Sequence, residues 1–385
     1  LPQFIRAPRI VIAGGGTGGH VQPAIAVIEE IERRGQPVEL HWIGSSTGLE
    51  REEAASRGIP YYVIETGKFR RYKSLSTIPD SVRVPAGTVQ ARMILRKLRP
   101  DVVFSTGGFV SVPSVVASWR IAPAITHEQT ATVGLANQIN SRFARMTALS
   151  FADAADHCPV SGDRIAVTGN PVRASLASGD RDNAFQRFGF DPEVPLLFVT
   201  GGARGSSPLN IRVEAVLSQL LDVTQIIHQT GPEAHSHDFL RLVALRDALT
   251  PERQKRYRVV EYVREEMPDI YASASLFLCR SGAGIVTEMA AMGMPSILIP
   301  LPGSGGNEQQ RNATVLGRIG AALVLDQNDA NPERLLAEVQ RLLESPDELE
   351  SMGRQAKQAA VPDAAARMTD LILAFAQETQ STRGR

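Results

Sequence analysis

Short apolar runs alternate with amphipathic stretches along most of this chain, and the runs are dense in Val, Ile and Leu rather than interleaved with polar residues. They are Ile10–Ala13, Val38–Ile43, Val102–Phe104, Ala124–Thr126, Leu196–Thr200, Gln225–Ile227, Val259–Val263, Leu276–Cys279 and Ser296–Pro300. Strands buried on both faces look like this, and both faces are covered where helices cross over a parallel sheet. The stretch Ala24–Arg34 typifies the intervening helices. Ala24, Ile28 and Ile31 fall on one face, Pro23 suits an early helical position and Gly35 suits the stop. Repeated strand–helix alternation predicts a doubly wound, Rossmann-like α/β fold with parallel sheets.

The pattern runs twice. A glycine-rich turn at Gly14–Gly19 follows the first run, and Gly201-Gly202-Ala203-Arg204-Gly205 follows Leu196–Thr200. Between them, Gly169-Asn170-Pro171-Val172-Arg173 leads into a mostly polar stretch, Ser175–Glu193, which reads as the boundary region. After Leu323–Leu325 the pattern turns helical, most clearly at Glu333–Glu344 and Ala364–Gln377. The expected organisation is a first domain over residues 1–172 and a second over 173–361. A C-terminal helix in 362–385 would pack back on the first domain and end in a disordered tail at Ser381–Arg385. A length of 385 residues accommodates two or three such cores.

Composition removes several function classes. The 41 basic and 41 acidic residues cancel, so bulk charge predicts neither a nucleic-acid binder nor an acidic-surface binder. Aromatic residues are too sparse for base-stacking platforms. Two cysteines, Cys158 and Cys279, make no disulfide framework and fit a reducing compartment. No apolar run reaches bilayer-spanning length, and no secretory signal is read at the start. One region breaks the balance: between Lys68 and Arg99, basic residues interleave with Phe69, Tyr72, Leu75, Ile78, Met93, Ile94 and Leu95, and Asp80 is the only acid. Composition leaves two readings of it open, an anionic membrane surface contact and a solvated helix face with a buried stripe.

Gly14-Gly15-Gly16-Thr17-Gly18-Gly19-His20 is the densest motif. A strand feeding a helix through bare glycines presents backbone N–H groups at the helix's positive end, a seat for an anion. His20 stands where the glycines stop and is either a proton acceptor beside that seat or a helix-start residue without chemistry. The dinucleotide fingerprint is matched only formally. The ribose-binding acid it requires would be Glu39, which falls inside the second strand, so a nicotinamide dehydrogenase is disfavoured. His127-Glu128-Gln129 follows the strand ending at Thr126, and Ser105-Thr106-Gly107-Gly108-Phe109 follows another strand, so both reach the sheet edge where open α/β folds bind ligands. Arg280-Ser281-Gly282-Ala283-Gly284 opens a helix carrying Glu288; its N–H groups suit a diphosphate and the glutamate suits ribose hydroxyls, the alternative being a Ser281 cap and an exposed acid. The amides of Asn307-Glu308-Gln309-Gln310-Arg311-Asn312 suit sugar hydroxyls or a polar helix start. Asp180-Arg181-Asp182 reads as a solvated turn and His235-x-His237 as an exposed loop, so no metal site is expected.

In this order these motifs resemble the MurG family of bacterial peptidoglycan N-acetylglucosaminyltransferases, which have the GT-B fold. The resemblance runs from Gly14 to about Ala313 and includes Gly169-Asn170-Pro171-Val172-Arg173, Glu288, Gln309 and Asn312. It implies two Rossmann-like domains facing across a cleft. It also implies inverting transfer of N-acetylglucosamine from UDP-N-acetylglucosamine to the C4 hydroxyl of the muramyl sugar of lipid I, giving lipid II at the cytoplasmic face of the membrane, with no cofactor. By resemblance, Arg173, Val263, Ala283, Gly284, Ile285, Val286, Thr287, Glu288 and Gln309 hold the donor nucleotide and diphosphate, while Thr17, Gly18 and Gly19 line the donor–acceptor cleft. Gly107, Gly108 and Phe109 fall on the acceptor side. His20 is the implied base and Glu128 the second candidate, and Lys68–Arg99 becomes the face that meets an anionic membrane. The chain departs from the family at Ala203 and Arg204, where Ser-Gln is usual, at Thr130, where asparagine is usual, and at Asn307-Glu308. These positions bear on donor selectivity and leave room for a paralogue with another acceptor or a silent nucleotide-sugar-binding scaffold.

Overall fold

The computed structural model describes residues 4–16, 18–67, 77–304 and 306–384, so Thr17 and the basic stretch 68–76 lie outside the described residues. The chain forms two compact units, residues 1–173 together with 361–385, and residues 174–360.

The first unit is built on β1 (Arg9–Ala13), β2 (Glu39–Gly44), β3 (Tyr61–Val63), β4 (Val102–Ser105), β5 (Ala124–Glu128), β6 (Met146–Leu149) and β7 (Ile165–Val167). All pair in parallel, in the order β3-β2-β1-β4-β5-β6-β7. The crossovers carry α1 (Gly18–Arg33), α2 (Leu49–Ser56), α3 (Thr77–Leu98), α4 (Val112–Ser118) and α5 (Leu135–Phe143). Alternate strand residues go to opposite faces. Ile10, Ile12, Val102, Phe104 and Ile125 pack with Ile25 and Ile28 of α1, whereas Val11, Ala13, Ile43 and Val103 pack with Ala91 and Leu95 of α3 and Val115 of α4. The chain's last helix, Ala364–Arg383, joins the first of these faces through Met368, Ile372, Leu373 and Ala376.

The second unit opens with a 3-10 helix, Ala174–Ser178, and α6 (Arg181–Phe188), and repeats the design with β8 (Leu196–Thr200), β9 (Gln225–Gln229), β10 (Tyr257–Val260), β11 (Leu276–Cys279), β12 (Ser296–Leu298) and β13 (Ala322–Val324). These are parallel in the order β10-β9-β8-β11-β12-β13. Leu197, Val199, Ile226, Leu278 and Ile297 form one face with Leu209, Val213, Leu335 and Val339 of the covering helices. In each sheet the strand order reverses beside the first strand, between β1 and β4 and between β8 and β11. Such a reversal is where doubly wound sheets leave a crevice at their C-terminal edge.

Several local expectations are corrected. Helix α1 starts at Gly18, so Pro23 is interior rather than early, and the glycines themselves form the first turn. Strand β5 continues through His127 and Glu128. The polar stretch after Ser175 is no linker: Asp180 caps α6 by accepting from the N–H groups of Asp182 and Asn183, and α6 packs on the helix Met267–Ser273. Residues 381–383 are helical, and Arg383 donates to the carbonyls of Arg99, Pro100 and Ile121.

Two measurements test this core. Replacing the fully buried Ile372 by Ala should lower unfolding free energy by ~2–5 kcal/mol in urea. His228 is buried between Tyr257 Oη, which donates to Nδ1 at 2.9 Å, and Asn210 Oδ1, which accepts from Nε2 at 3.0 Å. Burial pushes its pKa down to about 3. The unfolded chain therefore takes a proton near the ordinary histidine pKa that the folded chain refuses. Stability present above about pH 6.5 should fall as pH drops, by ~1.4 kcal/mol per unit. His228→Gln should flatten that slope.

Candidate active site

In the first unit the site begins with a contact between backbone and carboxylate. A Cβ on Gly15 would lie 2.2 Å from Glu50 Cδ, so only glycine fits there. The fully buried Glu50 carboxylate, carried by α2, accepts from Gly16 N–H at 2.9 Å, Ser45 N–H at 3.1 Å and Ser45 Oγ at 2.7 Å. The anion seated at Gly16 is thus the protein's own, which corrects the reading of this part of the loop as a phosphate seat. Further along, Gly19 is helical and a Cβ there would meet nothing within 4 Å. Glycine costs helix stability, and no neighbour demands it at this position.

His20 lies in the first turn of α1, and Gly108 is pressed against it: a Cβ at Gly108 (φ +76°) would lie 2.9 Å from His20 Cδ2. Phe109 approaches Gly16, and Gly107 approaches the Asn137 amide. Nδ1 of His20 faces two oxygens, the Thr106 carbonyl at 3.0 Å and Gln129 Oε1 at 3.1 Å. Two acceptors require a proton on Nδ1, so the neutral ring carries its lone pair on Nε2. Gln129 is held in turn. Its amide donates to the Thr106 carbonyl at 2.6 Å and to His127 Nδ1 at 3.2 Å, which puts the His127 proton on Nε2, bonded to the Gly169 carbonyl at 3.2 Å. His127 is fully buried, and burial pushes its pKa down to about 4. It is a neutral member of this network.

Glu128 has a different environment. Its carboxylate, 3% exposed, accepts from Thr130 N–H at 3.0 Å, Thr130 Oγ1 at 2.8 Å, Gly134 N–H at 2.8 Å and Asn137 Nδ2 at 2.9 Å. Gly134 is the N-cap of α5, so Glu128 stabilises a helix start and its loop. Arg173 ends the first unit, and its Nε is buried without a hydrogen-bond partner among the described residues.

In the second unit the counterpart edge is tied by Gln229, which sequence reasoning missed. Its amide donates to Thr200 Oγ1 at 2.8 Å and the Gly202 carbonyl at 3.1 Å, while its oxygen accepts from Val263 N–H at 2.9 Å. The signal available was a polar side chain at the C-terminal end of a buried strand. Ala203 and Arg204 form the turn between Gly202 and Gly205; Arg204 is exposed. Ile285 lies against Gly202, 3.7 Å from where a Cβ would be.

After β11 comes the helix Ala283–Met292, capped by the backbone of Gly282 with no side-chain hydrogen bond; the proposed Ser281 cap is absent. Ser281 Oγ instead donates to the Gln309 carbonyl at 2.8 Å. The first N–H groups of this helix have no intrahelical partner, and a Cβ at Gly282 or Gly284 would meet nothing within 4 Å. Val286 points into the core and Thr287 Oγ1 bonds back to the Ala283 carbonyl. Glu288, half-buried, receives a 2.6 Å hydrogen bond from Tyr271 Oη. Gln309 Oε1 accepts from Leu301 N–H at 2.9 Å. Just before the helix, Arg280 is buried and donates to Ser206 Oγ, the Ile299 carbonyl and Gln327 Oε1, all neutral. Burial, with Arg212 nearby, pushes its pKa down to about 10, so it stays cationic.

The described part of the basic segment is α3, which packs on α4. Val89 and Met93 on α3 and Trp119 after α4 are 60%, 61% and 53% exposed. Arg92 donates to the carbonyls of Ala117 and Trp119, and Arg120 stacks over the Trp119 ring at 4.5 Å.

Comparison with known proteins agrees with this architecture. Residues 10–149 match the glycosyltransferase family 28 N-terminal domain and residues 196–368 its C-terminal domain. A UDP-N-acetylglucosamine–N-acetylmuramyl-(pentapeptide) pyrophosphoryl-undecaprenol N-acetylglucosamine transferase of Lachnospira eligens is 37% identical over 336 residues, 87% of this chain and 90% of the relative. One of the same name from Treponema pallidum is 36% identical over 374 residues, 96% of each chain. Among solved structures, Acinetobacter baumannii MurG superposes with a TM-score of 0.69 at 28% identity, covering 95% of this chain and 99% of that one. A Neisseria meningitidis UDP-GlcNAc 2-epimerase shares the fold alone, at 12% identity and a TM-score of 0.66 over 95% of this chain and all of that one. With two parallel-sheet domains, both halves of the family signature and relatives matched over nearly their full length, the chain belongs to glycosyltransferase family 28, in the MurG family of GT-B-fold enzymes.

Proposed function

We propose that this protein transfers N-acetylglucosamine from UDP-N-acetylglucosamine to the C4 hydroxyl of the muramyl sugar of lipid I, forming lipid II with inversion. The observation that carries the reading is the fixed tautomer of His20, whose Nε2 is left as a proton acceptor next in sequence to Gly19, where a Cβ would meet nothing within 4 Å. The acceptor hydroxyl gives its proton to Nε2 and its oxygen attacks the anomeric carbon opposite the diphosphate. The bond from that carbon to the phosphate oxygen breaks and UDP leaves. The Thr106 carbonyl and Gln129 oxygen then solvate the imidazolium. Glu128, engaged by four donors, shapes the loop rather than taking the proton.

The second unit supports the donor. The open N-terminus of the helix Ala283–Met292 and the charge of Arg280 favour a diphosphate. The family resemblance assigns Arg173, at the end of the first unit, to the same donor. Val263 and Ile285 pack near the base, Glu288 meets the ribose, and Gln309 faces the sugar. Gly18 and Gly19 line the approach of the donor sugar, with Gly107, Gly108 and Phe109 on the acceptor side. Charge neutralisation by backbone and arginine makes a metal unnecessary. Among the described residues no helix is long and apolar enough to cross a membrane. Val89, Met93 and Trp119, with Arg92, Arg96 and Arg120 around them, suit peripheral attachment to the anionic cytoplasmic face, where the lipid acceptor resides.

Release of UDP from UDP-N-acetylglucosamine with a soluble lipid I analogue tests the reading. Donor binding without release would instead indicate a silent scaffold. His20→Ala should lower kcat by roughly 100- to 10,000-fold with little change in donor KM or melting temperature. Glu128→Gln should instead lower stability, by about 1–3 kcal/mol, because it withdraws acceptors from buried donors. Met93→Glu combined with Trp119→Glu should weaken binding to phosphatidylglycerol vesicles and leave turnover of the soluble acceptor unchanged; unchanged vesicle binding would remove the membrane assignment.

A further inference from the structure

We propose that Tyr271 is a positioning residue that makes this enzyme selective for a ribonucleotide donor, by holding Glu288 in the rotamer that meets the ribose hydroxyls. The inference rests on the reading of Glu288 as the ribose ligand. Tyr271 is only 5% exposed, and its ring is fixed from behind: it stacks on Phe277 of β11 at 5.1 Å between centroids, 19° from parallel. Phe277 in turn meets Phe198 of β8 edge-on at 5.2 Å. The central strands of the sheet thus set where the phenol points. Its Oη donates to Glu288 Oε2 at 2.6 Å, a short, charge-assisted bond.

Glu288 stands in the second turn of the helix whose first turn is open to a diphosphate, the right distance along for a nucleoside's sugar. A half-buried glutamate on a helix has several rotamers, and freezing one costs conformational entropy. Here the phenol does the freezing before any ligand arrives. A carboxylate has about four acceptor sites, and the bond from Tyr271 takes one of them while orienting the group. An oriented carboxylate accepts from a ribose hydroxyl at little further cost. A donor lacking the 2′-hydroxyl forfeits that bond, which is the asymmetry by which polar sites reject analogues missing a hydroxyl. The phenol is therefore the origin of a preference that Glu288 only delivers.

The test compares UDP-N-acetylglucosamine with its 2′-deoxyuridine counterpart in the wild type, Tyr271→Phe and Glu288→Ala, using the soluble acceptor. The wild type should favour the ribonucleotide donor, and Glu288→Ala should abolish most of that preference. Tyr271→Phe, which keeps the stacking ring, should cut the preference about three- to tenfold through KM for the ribonucleotide donor, with kcat and the deoxy donor's KM within about twofold. If Glu288→Ala erases the preference and Tyr271→Phe leaves it, the positioning role is wrong while the ribose contact stands. If Glu288→Ala leaves the preference intact, the ribose contact fails and the inference falls with it. Equal losses for both donors in Tyr271→Phe would mean that the hydroxyl supports the fold, and would also overturn it.

Discussion

A single proton organises the polar network at the sheet edge of the first unit: the one that the Thr106 carbonyl and Gln129 Oε1 hold on Nδ1 of His20. From it follow the lone pair on Nε2 and the orientation of the Gln129 amide, which in turn meets His127, kept neutral by its burial. Thr106 comes from the end of β4, Gln129 from the end of β5 and His20 from the turn after β1. These segments are neighbours because parallel pairing brings β1, β4 and β5 together. The tautomer is therefore a product of strand order, and a register slip in any of the three would release it.

Glycine serves three distinct purposes in this framework. At Gly15 it makes room for the Glu50 carboxylate, and at Gly108 it makes room for the imidazole. At Gly282 and Gly284 a Cβ would meet nothing within 4 Å, so glycine leaves the start of that helix open. Glu50 and Glu128 are parallel cases: each carboxylate organises a glycine-bearing loop from inside.

The sequence was most legible where strands are long and central. Leu196–Thr200 and Leu276–Cys279 are continuous apolar runs, and the structure has strands with those bounds. The strands Tyr61–Val63 and Ile165–Val167 escaped because three residues at a sheet edge carry no periodicity. The start of α1 was misplaced because Gly18 and Gly19 argue against helix locally, and the fold overrides them. At the site, glycine turns after apolar runs located the loops. What they did not reveal was the role of each polar group. Glu128 reads as a candidate base until its four donors are counted, and Glu50 and Gln229 make contacts 34 residues away in sequence, which no local pattern encodes.

The chain's last helix has a consequence for how the molecule is made. Met368, Ile372, Leu373 and Ala376 complete the apolar layer over Ile10, Ile12 and Phe104, and Gln380 reaches back to the backbone of Ile5 and to Asp101. During translation the strands of the first unit must wait with that layer bare until residues 364–383 have left the ribosome, whereas residues 174–360 are free to finish on their own. The part synthesised first is thus the part completed last. Until then it presents an uncovered aliphatic surface of the kind that chaperones bind.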